Sequence, residues 1–72
     1  MNNENELNEL ASRIKFLRNK LNISQEVLAD RCGFDRTYIS LLERKKRNPS
    51  FLNLKKLCQG LEVSLSTFTE GL

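Results

Sequence analysis

Two stretches of about eight residues, each with apolar side chains at helical spacing, meet at Cys32-Gly33-Phe34-Asp35. Leu28, Ala29 and Cys32 form the inward side of the first, and Ile39 and Leu42 the centre of the inward side of the second. Ser24 has the side chain to cap the first helix, from Gln25 to about Arg31, and Gly33 stops it. Asp35 can cap the second, from Arg36 to about Arg44. A turn of three to four residues containing glycine sets consecutive helices at a steep angle. The middle of the chain is therefore two short, crossed helices.

The flanks read the same way. Leu7, Leu10, Ala11, Ile14, Leu17 and Leu21 keep steps of three and four, which predicts an amphipathic first helix, ended at Asn22 and preceded by loose residues 1–6. Ser50, or Asn53 as a later start, caps a fourth helix through Leu54, Leu57, Cys58 and Leu61. Ser64 caps a last one, from Leu65 to about Glu70. No β-alternation occurs. The prediction is an all-α fold, a compact five-helix bundle with a helix-turn-helix, formed as one domain over residues 7–72.

With 72 residues, the chain is near the lower limit for a self-supporting core and calls for a staple. Cys32 and Cys58 do not supply one. The start "MNNENELNEL" is polar and acidic, without a signal core, and no run approaches a membrane span. The expected location is cytoplasmic, where both thiols stay reduced and act as small buried hydrophobes. Without histidine or a Cys-x-x-Cys pair, neither a metal nor another cofactor is expected. The staple should be a second subunit. "LEVSLSTFTEGL" offers Val63, Leu65, Phe68 and Leu72 with little chain left to cover them. Val63 is assigned to the core; Leu65, Phe68 and Leu72 are assigned to a homodimer interface.

The net charge is +3, and its distribution is more informative than its total. Glu4, Glu6 and Glu9 make residues 1–12 acidic, as Glu62 and Glu70 do residues 61–72. Arg36, Arg44, Lys45, Lys46 and Arg47 outweigh Glu43 in residues 36–47. A basic middle between acidic ends suits one positive face directed at a polyanion. On a wheel of about 100° per residue, Arg36, Thr37, Ser40, Leu41 and Arg44 share one half of the third helix, while Tyr38, Ile39, Leu42 and Glu43 share the other. The first half suits base edges in the major groove: Arg36 can pair bidentately with guanine, Leu41 can meet a thymine methyl, and Thr37 and Ser40 can hydrogen-bond. Tyr38, at the edge, can send its hydroxyl to a phosphate. Gln25 begins a helix where a phosphate meets free N–H groups. Lys45, Lys46, Arg47 and Asn48, together with Arg44, flank the groove that the helix would enter.

The stretch "LRNKLNISQEVLADRCGFDRTYISLLERKKRNPS" resembles the helix-turn-helix family of phage Cro proteins and lambda-type repressors. The resemblance continues through "LCQGLEVSLSTF" and covers roughly Leu10 to Phe68. It implies a five-helix fold, a homodimer on palindromic double-stranded DNA, and regulation of transcription. It places a phosphate contact on Gln25, base reading on Arg36, Thr37, Ser40 and Leu41, and phosphate binding on Lys45 to Asn48. It also implies a structural ion pair between Arg18 and Glu43, needed because a carboxylate on the core half is costly alone. "FDRTYISLLER", "RN" and "GLEVS" look most like controller proteins of restriction–modification systems, which act on their own and the endonuclease promoters. Two residues depart from the family pattern. Lys45 stands where Gly or Asn often ends the helix, which implies a cost of about 1 kcal/mol or a different exit. Gly60 stands where Ala is usual, costing roughly another 1 kcal/mol.

Nothing in the chain suggests an enzyme: no histidine, no thiol with an activating partner, no phosphate loop. The alternatives are a phage or chromosomal repressor of the same fold, or an antitoxin that masks a toxin and represses its operon. Regulation implies that promoter occupancy either blocks RNA polymerase or helps recruit it.

Overall fold

The computed structural model describes residues 3–72. It contains α1 (Asn3–Lys20), α2 (Gln25–Cys32), α3 (Arg36–Glu43), α4 (Phe51–Gly60) and α5 (Leu65–Thr69), with no strand among the described residues. Three starts are capped as the sequence predicts. Ser24, Ser50 and Ser64 adopt extended backbone, and their hydroxyls accept from Val27 N–H at 3.1 Å, Asn53 N–H at 3.1 Å and Thr67 N–H at 3.0 Å. Asp35 occupies the cap position of α3, but its carboxylate makes no cap bond. Its carbonyl starts the helix instead, accepting from Tyr38 and Ile39. The expectation of loose residues before Leu7 is corrected from Asn3 onward, because α1 already begins there. Met1 and Asn2 lie outside the described residues.

The helix exits share one geometry. Asn22 (φ 57°), Gly33 (φ 77°), Lys45 (φ 65°) and Glu62 (φ 61°) follow α1 to α4 in the left-handed region. In each case the next N–H reaches back five residues: Ile23 to Arg18, Phe34 to Ala29, Lys46 to Leu41, Val63 to Cys58. This closes the helix with a Schellman motif, whose last residue usually makes an apolar contact. Ile23, Phe34 and Val63 obey, packing against the core. Lys46 does not; it is exposed. The left-handed exit from α3 is thus kept by a lysine, at a cost of about 1 kcal/mol.

α2 packs against α3 and α4, α1 against α3, and α4 against α5. Every helix contributes to the buried cluster: Ile14 from α1, Leu28 from α2, Ile39 and Leu42 from α3, Leu57 from α4, and Phe68 from α5. Phe68 is 0% exposed. Its assignment to a subunit interface is therefore wrong: the ring closes the domain's own core. Arg13 on α1 holds α5 in that position, donating to the carbonyls of Phe68 at 2.7 Å and Glu70 at 2.9 Å. Both cysteines are buried free thiols, and burial pushes the Cys32 thiol up to about 11.

Gly60 has a steric reason that its helix propensity hides. It is buried where α4 crosses α2, and a Cβ there would collide with Cys32 Sγ and sit 3.2 Å from Leu28 Cδ1. The glycine allows the two helices to approach closely. Gly60→Ala should therefore destabilise the fold by about 1–3 kcal/mol through overpacking, despite the better helix former. In a Cys32→Ala background, which opens that space, the same change should cost much less. Urea unfolding midpoints of the four proteins measure both steps.

Candidate nucleic-acid interface

α3 divides as its wheel predicts. Ile39, Leu42 and Glu43 are buried, Arg36 and Thr37 are exposed, and Ser40 and Leu41 are half-buried at the margin. Arg44, Lys45, Lys46, Arg47 and Asn48 continue the exposed side directly. Among the described residues, neither Arg36 nor any of these four cations forms an ion pair, since the pairs present are Arg18–Glu43 and Arg31–Glu62.

The orientation of α3 is set by Glu43, which is 4% exposed. Arg18 on α1 grips its carboxylate with two bonds, Nε to Oε2 at 2.6 Å and Nη2 to Oε1 at 3.0 Å. The third guanidinium nitrogen donates to the Ile23 carbonyl at 2.8 Å. The hydrogen bond to Glu43 raises the Arg18 pKa further above its ordinary value, so the guanidinium stays charged. Gln25 Nε2 adds a bond to Glu43 Oε1 at 3.1 Å. One carboxylate thus joins α1, α2 and α3. Gln25, at the start of α2, spends one amide proton on this hub, and its second amide proton makes no bond among the described residues.

Tyr38 lies half-buried at the edge of the exposed side of α3. Phe34 meets its ring edge-on, with centroids 4.8 Å apart. The Arg47 guanidinium stands 5.7 Å from its centroid. The Asn53 amide donates to its hydroxyl at 3.1 Å. Sequence reasoning treated Asn53 only as a helix start; a contact across the basic loop has no local signature.

Of the residues assigned to self-association, Leu65 is half-buried against the core and Leu72 is exposed. Phe16, Phe51 and Leu52 are also exposed large apolar side chains and were not assigned there. Their signal was available, because Phe16 and Leu52 fall off the apolar stripes of α1 and α4.

A family model described as Helix-turn-helix matches residues 14–68. Control protein C.MunI of a Mycoplasma species is 44% identical over 52 residues, spanning 72% of this chain and 70% of the relative. Among solved structures, the restriction–modification controller protein C.Esp1396I, as a tetramer in complex with its natural 35 base-pair operator, superimposes with a TM-score of 0.85. It is 41% identical and covers 89% of this chain and 84% of that one. The controller protein C.AhdI from Aeromonas hydrophila gives a TM-score of 0.84 at 35% identity, over 88% and 96% of the two chains.

The hub makes a prediction about stability. Arg18→Met should cost about 3–5 kcal/mol, because it strands a buried carboxylate. Adding Glu43→Leu should recover most of that loss, since an apolar pair needs no partner. Thermal and urea unfolding of the single and double variants provide the comparison.

Proposed function

The chain belongs to the helix-turn-helix family, and on that premise we propose that it is a sequence-specific DNA-binding regulator of transcription. Its nearest functional kind is the controller protein of a restriction–modification system, acting as a homodimer on palindromic operators at its own and the endonuclease promoters. One observation carries this: Arg36 and Thr37 are exposed on a rigidly held α3 with Ser40 and Leu41 at the margin of the same side, continuous with Arg44 to Arg47, which form no ion pair among the described residues.

The division of labour follows from chemistry. Gln25, Tyr38, Arg44, Lys45, Lys46, Arg47 and Asn48 meet the sugar–phosphate backbone and set affinity and register. Arg36, Thr37, Ser40 and Leu41 meet base edges in the major groove. Nothing reacts; the family is one of DNA-binding regulators, and occupancy of a promoter either blocks RNA polymerase or helps recruit it. The place of action in this reading is the cytoplasm, beside DNA; no described helix is long and apolar enough to cross a membrane.

One α3 covers only a few base pairs, so useful selectivity needs a second copy about one helical turn, roughly 34 Å, along the duplex. The tetramer of C.Esp1396I on its operator supports assembly on DNA. With Phe68 committed to the core, Leu65 and Leu72 remain as the apolar side chains of the C-terminal segment for the dimer contact.

Two substitutions separate affinity from readout. Lys46→Ala should weaken binding to all duplexes alike and lower the salt dependence by a slope of about one. Arg36→Ala should relax preference at one base pair per half-site, worth about 1–3 kcal/mol there. Binding isotherms across single-base operator variants, at several salt concentrations, test this. Identical profiles for the two variants would refute the division.

A further inference from the structure

Tyr38 is more tightly held than a surface aromatic needs to be. Phe34 packs edge-on against its ring with planes at 65°, Arg47 stands over that ring, and Asn53 donates to its oxygen. Asn53 lies 15 residues further along the chain, on α4, so this bond bridges the whole basic loop. The backbone N–H of Asn53 is separately engaged with Ser50 Oγ in the cap of α4. The side chain of Asn53 is therefore not the cap itself.

We propose that Asn53 is a positioning residue that fixes the hydrogen-bond polarity of Tyr38, so that the phenol offers its proton outward to the DNA backbone. The proposal rests on the DNA-binding reading above and adds to it a residue outside both the recognition helix and the basic loop. A tyrosine hydroxyl has a single proton and can also accept. Because the Asn53 amide donates into the oxygen, the phenolic proton is left out of that bond and directed away from α4. Phosphate oxygens accept only, so a donor is what a contact there requires. Accepting from the amide also polarises the O–H bond and makes it the stronger donor. The Phe34 edge and the Arg47 guanidinium restrict the ring, so little freedom remains to be lost when DNA arrives. Arg47 meanwhile brings positive charge to the same place.

The alternative polarity, with Tyr38 donating to the Asn53 carbonyl oxygen, would leave the phenol without a proton for DNA. Asn53→Asp separates the two polarities, because it removes the outward donor in the first and leaves the phenol as it was in the second. A carboxylate of the same shape can only accept, so it would take the phenolic proton and remove the donor.

The test uses the full chain and a duplex selected by the wild-type protein from a random pool. Dissociation constants are measured for wild type, Tyr38→Phe, Asn53→Ala, Asn53→Asp and the two double variants, over a salt series. Tyr38→Phe should weaken binding roughly three- to tenfold, as for one hydrogen bond. Asn53→Ala should weaken it by a similar factor, yet have no effect in the Tyr38→Phe background. Asn53→Asp should weaken it further, and part of its effect should vanish with the Tyr38 hydroxyl; what remains reports its added negative charge. The salt slope should stay unchanged in Tyr38→Phe and Asn53→Ala, because a neutral hydroxyl releases no counterion. Additive losses, or a harmless Asn53→Ala beside a harmful Tyr38→Phe, would overturn the positioning role alone. So would a slope lowered by Asn53→Ala, which would mean that Asn53 holds the cationic loop rather than the phenol. Selection that enriches no duplex would instead refute DNA binding, and full binding by Tyr38→Phe would remove Tyr38 from the interface.

Discussion

A single buried carboxylate organises this molecule. Glu43 sits on the core side of α3, where an unpaired charge would cost several kcal/mol. Arg18 answers it with two hydrogen bonds and spends a third on the exit from α1, while Gln25 adds a bond from the start of α2. No described buried side-chain nitrogen or oxygen lacks a partner. Such a hub is weak evidence for net stability, because an apolar pair of the same volume would serve as well or better. Its physical effect is angular. Three helices are pinned at one point, which lies on α3 one helical repeat of seven residues from Arg36 and three residues from Ser40.

The helix exits show how the chain distinguishes core from interface. Four exits share the left-handed residue and the backward hydrogen bond, and three use the following side chain as an apolar plug. At the fourth, Lys45 accepts backbone strain and Lys46 replaces the plug. Neither choice helps the fold. Both place cations immediately beside α3, in a backbone conformation that the Schellman bond still fixes.

Much of this was legible in sequence, for local reasons. Ser24, Ser50 and Ser64 marked helix starts because capping involves residues three apart. The wheel separated Arg36 and Thr37 from Ile39 and Leu42 because eight residues already sample both faces. What stayed hidden was long-range or too short to be periodic. α5 spans Leu65–Thr69, barely more than a turn, so spacing could not tell whether Phe68 faced the core or a partner. Arg13, far along the chain, decided it. Gly60 looked like a plain loss of helix propensity because Cys32, which it must clear, lies on another helix. The same applies to Asn53 and Tyr38, which meet only once the basic loop has folded back. Local propensity yields to tertiary contact in each case.

Burial also separates the residues that build the fold from those proposed to read DNA. Arg36 and Thr37 touch solvent, whereas Ile39, Leu42 and Glu43 of the same helix touch the core and the hub. Exposed positions of this kind usually change stability by no more than about 0.5 kcal/mol when substituted. Ser40 and Leu41 lie at the boundary and are less free. Substitution at Arg36 or Thr37, the proposed readers, should therefore leave the frame nearly intact, but a change at Ser40 or Leu41 also alters packing. The Tyr38 clamp belongs to the frame in this sense, because Phe34 and Asn53 reach it from the inner side. The backbone contact proposed for Tyr38 would then fall in the same place whichever bases the outer residues select, and that constancy is what a backbone contact supplies to register.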